Sequence, residues 1–133
     1  MTDAEWKYLE SYIGKIRGLL KVSDWVIKVQ REDPPDSNNE ASTYILNDAD
    51  EAHMRFNAHF RQWDANRQRA VVVHEVLHLH LDRLHDLAEQ AFRGAAPHVW
   101  IGLEENHRRA YERVCERLAQ SLAPMMPKIE WPK

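Results

Sequence analysis

The stretch Ala70-Val71-Val72-Val73-His74-Glu75-Val76-Leu77-His78-Leu79-His80-Leu81 contains no helix breaker and is apolar nearly all round. A helix of that character has to lie in the middle of a small domain, because none of its sides suits water. The pattern predicts a long helix from about Arg67 to Phe92. The cap-forming cluster Asp64-Ala65-Asn66 opens it, and Gly94 and Pro97 punctuate its end. The rest of the chain then has to cover this helix. The stretch also carries its own difficulty. An ionised Glu inside a buried helix costs several kcal/mol unless something compensates it.

The covering elements can be read from their periods. Trp6, Leu9, Ile13, Ile16 and Leu20 recur at three- and four-residue steps, which predicts an amphipathic helix from about Asp3 to Lys21 capped by Thr2 or Asp3. Trp25, Ile27 and Val29 alternate with Val26 and Lys28, as in a half-buried strand. The run Asp33-Pro34-Pro35-Asp36-Ser37-Asn38-Asn39 is a loop, since Pro fixes φ and Asp, Ser and Asn bond their own backbone. A second strand is expected at about Ala41 to Leu46, followed by a turn at Asn47-Asp48-Ala49-Asp50. Met54, Phe56, Ala58 and Phe60 alternate with His53, Arg55, Asn57, His59 and Arg61, which predicts a third strand. A last helix is expected from about Gly102 to Leu122, with Pro124, Pro127 and Pro132 blocking continuation. The expected fold class is therefore α+β: an N-terminal helix, a small sheet of about three strands, the long central helix and a C-terminal helix. A length of 133 residues fits a single domain, 1–133.

Composition narrows the function classes. Eighteen Lys+Arg against 21 Asp+Glu leave a formal net charge of −3, so there is no basic excess for a nucleic acid or an anionic membrane. The single cysteine, Cys115, cannot form an internal disulfide, which points to a reducing compartment. The opening residues are acidic and mixed, unlike a signal peptide, and no apolar run approaches the roughly 18 residues that span a bilayer. The expectation is a cytoplasmic protein with no nucleic-acid and no membrane partner. Its oligomeric state is left open.

His74-Glu75-Val76-Leu77-His78 supplies the chemistry. Two histidines four residues apart sit one helical turn from each other on the same face, so both imidazoles can reach one metal ion. Glu75 lies on the adjacent flank, placed to take a proton from a metal-activated water rather than to bind the metal. Neutral imidazoles suit Zn²⁺. Such an ion with its water also compensates the buried Glu75.

The stretch Val71 to Leu81 resembles the active-site helix of zincin metallopeptidases. With Tyr111-Glu112-Arg113-Val114-Cys115-Glu116-Arg117-Leu118-Ala119, the chain looks like small phage and bacterial metallopeptidase-like proteins of minimal gluzincin type. As motif, the resemblance covers about two dozen residues; as architecture, it covers most of the chain. It implies a short sheet packed over the active-site helix, one Zn²⁺ per chain and a Glu from a later helix as third ligand. It also implies a peptide or protein substrate.

Which Glu completes the set is open at this stage. The extended form of the motif needs Gly at 81 and His at 84, where this chain has Leu81 and Leu84. His85 lies about 10 Å beyond His78 along the axis, too far to share the ion, and His80 points away from that face. Tyr111, Val114, Cys115, Leu118 and Leu122 define the expected buried stripe of the last helix. Glu104 and His107 fall within it, so burial favours Glu104. The family pattern, a Glu seven residues before the Ala of a Leu-Ala pair, favours Glu112. The order of preference is Glu112, then Glu104, then Glu105 and Glu116. The last two are better read as solvated partners of nearby arginines. Tyr111 and His107 are candidates to stabilise an oxyanion or to support the ligands. Cys115 reads as a buried thiol with no paired histidine.

The leading expectation is a zinc-dependent hydrolase, an intracellular metallopeptidase with Glu75 as general base. The alternative keeps the zinc but makes it structural or regulatory in a protein-interaction module. For the hydrolase, the third strand is weighed as a free edge that captures an extended peptide, with His53, Arg55 and His59 beside it, against an interior strand already paired on both sides.

Overall fold

The computed structural model describes residues 1–46 and 49–133. Helix α1 spans Asp3–Leu19; strands β1, β2 and β3 span Val26–Gln30, Ala41–Leu46 and Glu51–Phe56; helices α2 and α3 span Ala65–Arg93 and Pro97–Leu122. Short 3₁₀ turns follow β3 (Phe60–Gln62) and α3 (Ala123–Met125). This is the expected α+β layout. No helix among the described residues is long and apolar enough to cross a membrane. Asn47 and Asp48 of the expected turn lie outside the described residues, and Asp50 closes it with φ of 46°.

Helix α1 begins at a capping box. The Thr2 hydroxyl accepts from the Glu5 backbone N–H (3.3 Å), and the Glu5 carboxylate accepts from the Thr2 N–H (2.7 Å). Its buried face is Leu9, Tyr12, Ile13 and Ile16. The sheet order is β1-β3-β2, with β1 parallel and β2 antiparallel to β3. Pleating sends Ala52, Met54 and Phe56 into one core with α1 and with Val72, Val73 and Val76 of α2. Glu51, His53 and Arg55 form the outer, partly solvated face.

Two boundaries differ from those read in the sequence, each for a local reason. β3 stops at Phe56 rather than running to Arg61. The Asn57 side-chain amide donates to the carbonyls of Ser37 and Asn39, and its backbone N–H donates to Glu40, which turns the chain away from the sheet. Phe60 still reaches the core, from the 3₁₀ turn, with its ring 4.9 Å from that of Phe56. The alternation therefore persists in the sequence after the strand has ended. Pro97 is not a stop for α2 but lies in the first turn of α3, where a missing N–H costs nothing. α3 thus starts five residues earlier than expected.

The sheet order also decides between the two roles weighed for the third strand. β3 is the interior strand, paired on both sides, so His53, Arg55 and His59 do not flank a free edge. β2 is an edge strand instead, and its residues line the cleft described below.

Met54 has no exposed surface and shares the core with residues of α1 and α2. Met54→Ala is expected to cost about 2–5 kcal/mol. Urea unfolding measures it, and an unchanged midpoint would place this strand outside the core.

Candidate metal centre

The site is built by a helical hairpin. Only Gly94, Ala95 and Ala96 separate α2 from α3, so α3 runs back antiparallel along α2. Its two buried residues, Cys115 and Ala119, are small, and they let the helices approach closely just where α2 presents His74 and His78. The two imidazole rings lie 4.9 Å apart. Glu112 reaches both: its Oε2 is 3.3 Å from His74 Nε2, and its Oε1 is 3.9 Å from His78 Nε2. One ligand atom from each of His74, His78 and Glu112 falls within 4.8 Å of the others. These residues line a cleft of about 1090 Å³ walled by β2, α2 and α3.

Tyr111 and Glu116 stand behind the remaining ring nitrogens. The Tyr111 hydroxyl donates to the His78 carbonyl (3.2 Å) and lies 3.0 Å from His78 Nδ1. A phenol has one proton to give, so the phenolic oxygen accepts from Nδ1–H, which fixes the tautomer and leaves the Nε2 lone pair facing the cleft. His74 Nδ1 is buried and has no hydrogen bond of good geometry, yet Glu116 Oε2 lies only 3.4 Å away. A small rotation of either side chain would complete that bond. Imidazole ligands of metals almost always donate their second nitrogen to such a carboxylate or oxygen.

Glu75 is 5% exposed, and its Oε2 accepts a 2.6 Å hydrogen bond from the Thr43 hydroxyl of β2. Burial pushes its carboxyl up to about 7, against the Thr43 bond and the nearby His74, which favour the charged form. Burial holds His78 down at about 4, so it is neutral at physiological pH as a metal ligand must be. His74 moves the other way. Burial opposes its protonation, but the Glu112 hydrogen bond and the charges of Glu75, Glu112 and Glu116 outweigh it. That same hydrogen bond lowers the Glu112 carboxyl. Two imidazoles and a carboxylate converging on one point, with Tyr111 bonded to His78 and Glu116 close behind His74, fit a borderline divalent cation such as Zn²⁺.

The structure brings together His74, Glu75, His78, Glu112 and Tyr111. It does not bring Glu104 into the cluster: that residue lies about 12 Å along α3 from Glu112, at the far end of the cleft. Glu105 is paired with Arg109 at 2.5 Å. His107 stacks on His85, with 3.0 Å between His107 Nε2 and His85 Nδ1, so it supports neither His74 nor His78 directly. His80 bonds the Leu20 carbonyl away from the cleft. Cys115 does have a histidine in reach, His78 Nδ1 at 3.6 Å, contrary to expectation. Burial, then the charges of Glu112 and Glu75, push its thiol up to about 12, so it stays protonated. Glu116, expected to be a solvated partner of arginine, instead stands behind His74. The signal for it was present in the sequence as Glu112 and Glu116 one turn apart. Val114 and Leu118, expected to be buried, are 45% and 39% exposed.

Comparisons with protein-family models, curated proteins and solved structures returned no match to this chain.

The Glu75 carboxyl gives a pH prediction. Its folded pKa of about 7 lies above the ordinary 4.5, so the native state binds more protons than the unfolded chain between those values. Stability therefore falls as pH rises through that window, by at most about 3 kcal/mol. With a chelator present, Glu75→Gln should be more stable than the parent at pH 8 and no more stable at pH 4. Parallel pH profiles for the two proteins, from urea unfolding, would refute this account of Glu75.

Proposed function

We propose that this protein is a zinc-dependent hydrolase acting on peptide bonds, with His74, His78 and Glu112 holding one ion and Glu75 as general base. The observation that carries the reading is the convergence of those three ligand atoms in an open cleft, with the buried Glu75 carboxylate on its wall. Zinc held there would supply Lewis-acid chemistry, acidifying a water to a pKa of about 7 and polarising a carbonyl. Glu75 would take the proton of the attacking water and return it to the leaving amine, a transfer that suits a carboxyl tuned towards neutrality. The Thr43 hydroxyl holds that carboxylate in one orientation. Tyr111 holds His78, and Glu116 lies 3.4 Å behind His74. The free edge of β2 offers unpaired backbone N–H and C=O groups along the cleft, where an extended peptide can add as a strand. The alternative, a zinc module without turnover, draws on the small size of the chain. A cleft of about 1090 Å³ favours a substrate.

Metal analysis of protein purified without a metal-affinity step should give one zinc per chain. His74→Ala and His78→Ala should lose most of it. Glu75→Gln should keep the zinc and lose peptide hydrolysis by at least about 100-fold. Stoichiometric zinc in His74→Ala would refute the ligand set. Full turnover in Glu75→Gln would refute the base.

Tyr111→Phe removes the group that fixes the His78 tautomer while leaving the ligands intact. Zinc affinity is expected to fall by about 10- to 100-fold, measured by competition with a chromogenic chelator. An unchanged affinity would assign Tyr111 to packing alone.

A further inference from the structure

Beyond His78 the cleft continues along α2, and its character changes. Asp82 lies one turn further on, about 6 Å along the helix axis, and its carboxylate faces the same cleft. It is 93% buried, from a relative exposure of 7%, yet among the described residues it makes no hydrogen bond and no ion pair. Buried carboxylates normally have partners, because desolvating an unpaired charge is costly. Burial and then the Asp86 carboxylate raise its pKa, against the smaller opposing effects of His85 and Arg83. Glu89 and Glu104 line the same end from α2 and α3. Glu89 is bonded to His85 at 3.2 Å, and Glu104 has no ion pair among the described residues. Among the described residues, the basic side chains lining this end are His85, which is paired with Glu89, and Arg108, which is exposed and near enough to Glu112 to lower that carboxyl.

We propose that this end of the cleft is a subsite for the cationic side chain of a peptide substrate, a lysine or an arginine adjacent to the bond being cut, with Asp82 as its anchor and Glu104 as a flanking carboxylate. The proposal rests on the hydrolase reading for the presence of a peptide, and it names the substrate class of that same site. A peptide added along β2 with a carbonyl at His74 and His78 would carry a neighbouring side chain towards Asp82, one helical turn away. A flexible ammonium or a guanidinium fork can enter this end of the cleft and satisfy a carboxylate there. An aliphatic side chain would leave Asp82 unpaired, and an acidic one would repel it.

The test uses zinc-loaded protein and amino-acid hydroxamates, which anchor on the metal and need no turnover. Arginine and lysine hydroxamates are expected to bind at least about tenfold more tightly than norleucine hydroxamate by calorimetry. In Asp82→Asn that ratio should collapse to about twofold or less. If Asp82→Asn does not fold, Glu104→Gln reads the same ratio at a less buried position and should reduce it by about threefold. Equal binding of cationic and norleucine probes, with both still dependent on zinc, overturns the subsite and leaves the metal centre standing. A chain that retains no zinc and binds neither probe overturns both. A second zinc per chain that is lost in Asp82→Asn also overturns the proposal, since the occupant would then be an inorganic cation.

Discussion

The buried carboxylate of Glu75 sets the terms for the rest of the molecule. α2 is covered by the sheet, α1 and α3, and most of its central residues are removed from water. A negative charge placed there has to be answered from nearby, and the answers come from separate elements: the Thr43 hydroxyl from β2 and His74 from α2 itself. These groups make the wall of a cleft where a fully apolar helix would have made only a core. The same burial keeps His78 neutral, while at His74 and Glu112 their mutual hydrogen bond and the neighbouring charges outweigh it. One desolvation effect thus raises the Glu75 carboxyl and keeps His78 neutral.

Much of the scaffold was legible because its signals were local. The Thr2 cap, the stripe of α1, the ends of β2 and the extent of α2 follow from period and capping, which depend on neighbouring residues only. His74, Glu75 and His78 were legible for the same reason, since four-residue spacing on a helix is a geometric statement. What was hidden depends on contacts made across the chain. Nothing in residues 53–61 announces that Asn57 will bond the carbonyls of Ser37 and Asn39 and end β3. The strand order that leaves β2 at the edge is equally non-local, because it requires β1 to pair in parallel with β3 across the β2 hairpin.

The last helix shows the limit most clearly. Its apolar residues suggested a buried stripe through Val114 and Leu118, but α3 docks by its small residues, Cys115 and Ala119, and leaves those two partly in water. The rotation this implies carries Glu112 and Glu116 together onto His74. Burial alone would have chosen Glu104. Which carboxylate meets the two histidines was set instead by where two helices can come closest.

Close approach through small residues has a further consequence. α3 buries two side chains completely, against ten residues of α2, so little apolar surface fastens it to the rest of the protein. Yet it carries one of the three groups that converge on the candidate centre. An ion bound between the helices would act as a clasp, and the exchange rate of that ion would follow the swinging of α3 more than the breaking of any single coordinate bond. Amide hydrogens along α3 would then exchange quickly without the ion and slowly with it, while those of α2 would scarcely notice. The residues that choose the ion would in this way also decide whether the cleft has a third wall.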